Sequence, residues 1–123
     1  EIASCLVGSE MCIRDRFDTV DYYERLAANN GGMAATQNFA RTFLVPGMNH
    51  CSGGPATDNF DSIQTMVDWV EKGIAPQSIA AKALPTNADF PNRTRPLCPY
   101  PQFAKYKGSG SVEDASSFVC SAS

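Results

Sequence analysis

Apolar residues along positions 19–30 recur at the spacing of one helical face: Val20, Tyr23, Leu26 and Ala27. Asp18 or Thr19 supplies a capping oxygen and Asn30-Gly31-Gly32 a left-handed stop, so the pattern predicts a helix there. A polar connector, 33–38, leads to an apolar stretch at 39–45. Its run Phe43-Leu44-Val45 lacks alternation, as a strand covered on both faces of a parallel sheet would. Such a strand needs neighbours, expected from sequence outside this chain. Beyond a Pro-Gly turn and a glycine-rich loop, Phe60, Ile63, Val67, Val70 and Ile74 again follow helical spacing. Met66 and Trp69 lie beside that stripe, Asp58 is the expected N-cap with Asp61 in the first turn, and Gly73 marks the stop. Trp69 and the paired Tyr22 and Tyr23 read as packing residues. Residues 78–84 alternate small and apolar positions, predicting a short edge strand. Prolines at 85, 91, 96, 99 and 101 predict an extended arm without regular structure. Residues 112–117 allow one helical turn before Phe118-Val119-Cys120. No internal repeat or second domain is visible.

The first residues stand apart. The run Cys5-Leu6-Val7-Gly8-Ser9-Glu10-Met11-Cys12-Ile13-Arg14-Asp15 resembles a translated sequencing adapter. Residues 1–16 are therefore expected to belong to no domain, and 17–121 to form one domain segment. Cys5 and Cys12 are then accidental.

The remaining length suffices for one modest core. The net charge of −3 for the whole chain changes little: without Glu1, Glu10 and Asp15, and without Arg14 and Arg16, ten acids face eight bases, a net of −2. The bases are scattered, so no nucleic-acid partner is expected. No apolar run approaches the roughly 20 residues of a membrane span, so no membrane partner is expected. Cys51, Cys98 and Cys120 remain. Bridging Cys98 to Cys120 would close a loop of about 20 residues and stabilise by roughly 3 kcal/mol in the chain-entropy treatment, leaving Cys51 without a partner here. Asn92-Arg93-Thr94 is an acceptor pattern for N-glycosylation, in keeping with an exposed loop of a secreted chain. An extracellular or periplasmic location is expected.

Chemistry concentrates in one place. His50 is the single histidine, and it follows the apolar run in the loop Pro46-Gly47-Met48-Asn49-His50-Cys51-Ser52-Gly53-Gly54-Pro55. A rigid strand that ends in a loop presenting an imidazole is a frequent catalytic layout, because the imidazole titrates near neutral pH. One histidine and one cysteine fall short of a zinc ligand set, and no phosphate-cradling glycine spacing occurs. Asp58, Asp61 and Asp68 read as cap and helix-face charges.

Strand, histidine loop, long helix and tethered arm, in that order, are how an α/β-hydrolase sheet ends, with the triad order Ser, acid, His along the chain. The segment from Phe43 to Pro55, the stretch Val67-Asp68-Trp69-Val70-Glu71-Lys72-Gly73 and the arm Arg93-Thr94-Arg95-Pro96-Leu97-Cys98-Pro99-Tyr100-Pro101 resemble the C-terminal part of the tannase and feruloyl esterase family. Lys107-Gly108-Ser109-Gly110 and Phe118-Val119-Cys120 continue the resemblance, which spans about 17–120. It implies an α/β fold and a secreted serine carboxylic-ester hydrolase that cleaves aromatic-acid esters through an acyl-enzyme. It implies that His50 is the general base and acid of a Ser-His-Asp triad. Cys51 would be the tether to a cysteine beside the nucleophile, and Cys98 and Cys120 would be bridged. No cofactor is implied, and the calcium site known in the family belongs to a lid region preceding this segment.

The chain departs from that pattern in two respects. The nucleophile loop of the family is absent: Gly-x-Ser-x-Gly does not occur, and the Cys-Ser pair at Cys120-Ser121 lies downstream of His50; the triad acid should precede Tyr22, where the adapter-like residues stand. Asp15 lies too close to the tyrosines to match it. The expected reading is thus a C-terminal fragment that carries only His50 and is inactive alone. A parent specific for aromatic diester monomers such as mono(hydroxyethyl) terephthalate is a narrower version. A small non-enzymatic secreted module, or an inert remnant, is the alternative from another class; turnover of an activated phenyl ester separates it from an enzyme.

Overall fold

The computed structural model describes residues 13–49 and 52–123, with side chains from residue 17 onward. Helix α1 spans Ile13–Asn29 and the short helix α2 spans Met33–Thr36. Strand β1 is Asn59–Phe60, helix α3 is Ser62–Lys72, and strands β2 and β3 are Ile79–Lys82 and Thr94–Leu97. Strand β4, Phe103–Tyr106, a 3₁₀ turn at Ala115–Ser117 and strand β5, Phe118–Ser121, complete the chain.

Helix α1 ends where the sequence predicts. Gly31 and Gly32 both take positive φ, and the Gly32 N–H closes back on the Ala27 carbonyl at 2.8 Å. Its inward residues are Tyr23 and Ala27; the Tyr23 hydroxyl donates to the Ala40 carbonyl at 2.9 Å and its ring meets Tyr100 edge-on at 6.3 Å. Burial pushes the Tyr23 phenol above its ordinary pKa, since a phenolate there would lose its water. Tyr22 does not share this packing; it is exposed. The connector predicted at 33–38 contains α2, because Met33-Ala34-Ala35 is a good helix former once Gly32 has turned the chain.

The predicted strand at 39–45 forms no ladder, and Phe39 belongs to the turn that follows α2, its N–H donating to the Thr36 carbonyl at 3.0 Å. Its single bridge pairs Phe43 with Pro99, supported by the Tyr100 N–H donating to the Thr42 carbonyl at 2.7 Å. A strand is defined by partners, and among the described residues only the proline-rich arm bridges to this one. Phe43 still enters the core, packing with Ile79, Ala81 and Leu97, and Val45 and Phe60 lean against them. Phe39 and Leu44 are exposed.

Two sheets form among the described residues, both antiparallel. Strand β2 is central between β1 and β3, not at an edge, with Ile79 opposite Leu97 and Phe60 opposite Ala81. Its alternation is real: Ile79 and Ala81 are buried, Ala80 and Lys82 exposed. The arm is not wholly irregular, since residues 94–97 form β3. Pro96 is tolerated because β3 is the outer strand of the trio. Strands β4 and β5 pair with Ala104 opposite Cys120. Cys98 and Cys120 are disulfide-bonded, with Cα atoms 5.5 Å apart, which staples this hairpin to the end of β3.

Helix α3 begins four residues later than the expected cap at Asp58. Asp61 is the N-cap, its carboxylate accepting from the Gln64 N–H at 2.8 Å, while residues 59–60 are taken by β1. Gly73 closes the helix in the left-handed region, as predicted. The stripe of Ile63, Val70 and Ile74 faces solvent, with relative exposures of 78%, 75% and 60%. The docked face instead carries Ser62, Thr65, Met66 and Trp69, which line a narrow apolar crevice of about 40 Å³ against Phe43, Phe60 and Leu97. The Arg41 guanidinium secures that side, sitting 5.5 Å from the Trp69 ring and donating to the Pro76 carbonyl at 2.6 Å. No helix among the described residues is long and apolar enough to cross a membrane.

Candidate active site

His50 and Cys51 lie outside the described residues, so the site is built from the residues on either side of them. The loop leaves the core after Val45 through a turn in which Gly47 takes φ +76°. It returns at Gly53 and Gly54, both with positive φ. The two limbs press together: a Cβ on Gly47 would stand 2.7 Å from the Pro55 carbonyl oxygen, and a Cβ on Gly54 would overlap the Gly47 carbonyl oxygen. Only glycine fits at either place. Met48, two residues before the histidine, is buried.

Hydrogen bonds lock the same crossing. The Asn49 N–H donates to the Gly53 carbonyl at 3.0 Å, joining the residue before His50 to the second residue after Cys51. The Gly53 N–H donates to the Asp58 carboxylate at 2.6 Å. The Asn87 side chain donates to the Gly54 carbonyl at 3.0 Å, while its own Oδ1 accepts from the N–H groups of Asp89 and Phe90. Asp58, expected to cap a helix, therefore anchors the loop, because the next two residues are taken by β1.

Asn87 is a residue that the sequence reading passed over. Its signal was local: Asn87-Ala88-Asp89 between prolines is an Asx-turn pattern, which fixes the side chain's oxygen and leaves its amide free to reach elsewhere. Between the two loops opens a cavity of about 250 Å³, with Asp58, Thr86 and Asp89 on its walls. On the opposite side, Pro46 and Pro55 border a cavity of about 340 Å³ reached by Arg95. The Arg95 guanidinium stacks 4.0 Å from the Phe118 ring.

The other candidate residues are placed as follows. Cys98 and Cys120 meet in the disulfide. Asn92 is exposed with φ 62°, while the Thr94 hydroxyl of its acceptor pattern accepts from the Ala115 N–H at 2.8 Å. Asp15 falls within α1, its side chain outside the described residues. Asp68 pairs with Lys72 at 2.7 Å and caps nothing. Among the described residues no group of three or more His, Cys, Asp or Glu side chains could hold a metal ion.

Solved esterases share this fold. An esterase from Aspergillus oryzae matches with a TM-score of 0.72 and 30% identity, over 85% of this chain and 24% of that one. Feruloyl esterase B from the same organism matches with a TM-score of 0.67 and 28% identity, over 84% and 23%. The fold is thus that of a segment of an α/β ester hydrolase. In sequence, the mono(2-hydroxyethyl) terephthalate hydrolase of Piscinibacter sakaiensis is 57% identical over 106 residues, covering 85% of this chain and 17% of that protein. A probable feruloyl esterase of Arthroderma benhamiae is 36% identical over 104 residues, covering 83% of this chain and 19% of that protein. The profile described as tannase and feruloyl esterase matches residues 10–121, and the chain belongs to that family. It spans less than a quarter of the length of these curated relatives.

Proposed function

We propose that the parent of this chain is a secreted carboxylic-ester hydrolase that acts on aromatic-acid esters through a serine acyl-enzyme, with His50 as its general base and acid. The observation that carries this reading is the pinned loop. Asn49, Gly53 and Gly54 are held by backbone and side-chain hydrogen bonds on both sides of the one histidine. An imidazole that must meet a hydroxyl within about 3 Å needs a carrier with that little freedom. Family membership and the names of the relatives supply the ester class.

In the reaction, a serine Oγ from outside this segment attacks the ester carbonyl carbon and gives its proton to the His50 ring nitrogen. The tetrahedral intermediate collapses, the C–O bond to the leaving alcohol or phenol breaks, and His50 returns the proton to that oxygen. Water then attacks the acyl-enzyme by the same route and releases the acid. Cys51 serves as a structural tether to the nucleophile loop, not as a nucleophile. The serine and the acid of the triad are assigned to no residue here, and the chain as given is inactive alone.

A narrower reading, an aromatic diester monomer as substrate, is favoured by one observation: the 57%-identical relative is a mono(2-hydroxyethyl) terephthalate hydrolase. The test is the full-length parent assayed on methyl ferulate and on mono(2-hydroxyethyl) terephthalate. Hydrolysis of at least one is expected, with His50→Ala lowering kcat at least ~10³-fold. A fully active His50→Ala enzyme would sink the proposal. Preference between the two substrates decides between the broad and the narrow reading.

A further inference from the structure

The peptide that follows the histidine is held at three points. Gly53 uses both backbone groups, its carbonyl accepting from Asn49 at 3.0 Å and its N–H donating to Asp58 at 2.6 Å. The next carbonyl, of Gly54, accepts from the Asn87 amide at 3.0 Å. The two anchors come from different elements. Asp58 directly precedes β1, and Asn87 sits in the loop between β2 and β3. Both elements belong to the same three-stranded sheet, so the loop is tied to one rigid body at two places. Neither anchor is free to wander. The Asn87 oxygen is held by two N–H groups of its own turn, and Asp58 is followed immediately by the ladder that pairs Asn59 with Lys82.

A charged acceptor at 2.6 Å from an amide is a strong bond, and glycine on either side would otherwise leave the loop soft. Resting on the ester-hydrolase reading of His50, we propose that Asp58 and Asn87 are positioning residues: they touch neither substrate nor reacting atoms, and they set where the imidazole stands relative to the serine. A misplacement of about 1 Å at such a group is enough to slow the chemical step by ~10²-fold while leaving substrate binding alone. Their effect therefore belongs in kcat rather than in KM.

The experiment uses the full-length parent and an activated phenyl ester, with kcat normalised to the burst of phenol that counts folded, acylatable enzyme. Asp58→Ala and Asn87→Ala are each expected to lower normalised kcat 10- to 100-fold with KM changed less than ~3-fold. Asp58→Asn keeps an acceptor oxygen and is expected to recover most of the loss. Where Asp58→Ala fails to fold, Asn87→Ala still tests the proposal. Normalised kcat unchanged in Asp58→Ala and Asn87→Ala alike, or in Asn87→Ala where Asp58→Ala does not fold, with His50→Ala inactive, would overturn the positioning roles and leave the esterase reading standing. An active His50→Ala enzyme would overturn the esterase reading, and this assignment with it.

Discussion

Arg93 grips Glu113 through two parallel hydrogen bonds, Nε to Oε2 at 2.6 Å and Nη2 to Oε1 at 2.7 Å. The same guanidinium lies 3.3 Å from the Phe90 ring centre. Glu113 leads into the 3₁₀ turn and β5, so the pair fastens the C-terminal strap to β3 some way from the disulfide. The Thr94 N–H, donating to the Glu113 carbonyl at 2.9 Å, repeats the contact in backbone.

The hydrogen bonds from Arg93 hold the Glu113 carboxyl below its ordinary pKa. A depressed carboxylate contributes stability that is complete above its unfolded pKa and is lost as pH falls through the folded one. Acidification through the range just below the ordinary glutamate value should therefore loosen the strap at residues 111–117 first. Hydrogen exchange of those amides should rise with acid in the wild-type chain. In Glu113→Gln it should already be raised at neutral pH and respond far less. Identical acid profiles for the two would contradict the clamp.

The Cys98–Cys120 bond should be the strap's main fastening. Replacing both cysteines by serine is expected to lower unfolding stability by roughly 3 kcal/mol, read from denaturant midpoints. Alkylation under non-reducing conditions should leave Cys98 and Cys120 unlabelled. Rapid labelling of Cys98 in the unreduced protein would refute the bridge.

Gly54 and Gly73 share a left-handed backbone, with φ +83° and +69°, but not their surroundings. Gly73 has open space where a Cβ would go, whereas Gly54 faces the Gly47 carbonyl and Asn49. Gly73→Ala should cost about 1 kcal/mol and Gly54→Ala clearly more, about 2–3 kcal/mol. Thermal denaturation of the two variants checks the order.

The outward face of α3 predicts self-association of the isolated chain, since Ile63 and Val70 on the helix and Ile74 just beyond it are all exposed. Ile63→Glu with Val70→Lys should raise the aggregation threshold several-fold without loss of helix signal in circular dichroism, because both charges also suit the helix dipole. Sedimentation unchanged by the double substitution would rule this face out as the cause.

What the sequence by itself determined is whatever depends on neighbours a few residues apart. The Asn30-Gly31-Gly32 stop, the Gly73 stop and the alternation of Ile79 and Ala81 all appear in the structure, because caps and periodicity are short-range physics. The family too was legible, in motifs such as Arg93-Thr94-Arg95-Pro96-Leu97-Cys98. Only the tertiary structure decided which face of α3 docks, since the stripe of Ile63, Val67, Val70 and Ile74 and the face of Thr65, Met66 and Trp69 both follow helical spacing. It also decided that β2 is central, that Pro96 sits in a strand, and that Asp58 anchors Gly53 rather than capping α3. Those outcomes depend on what lies alongside in space, and pairing between segments tens of residues apart leaves no local trace in the residues that pair.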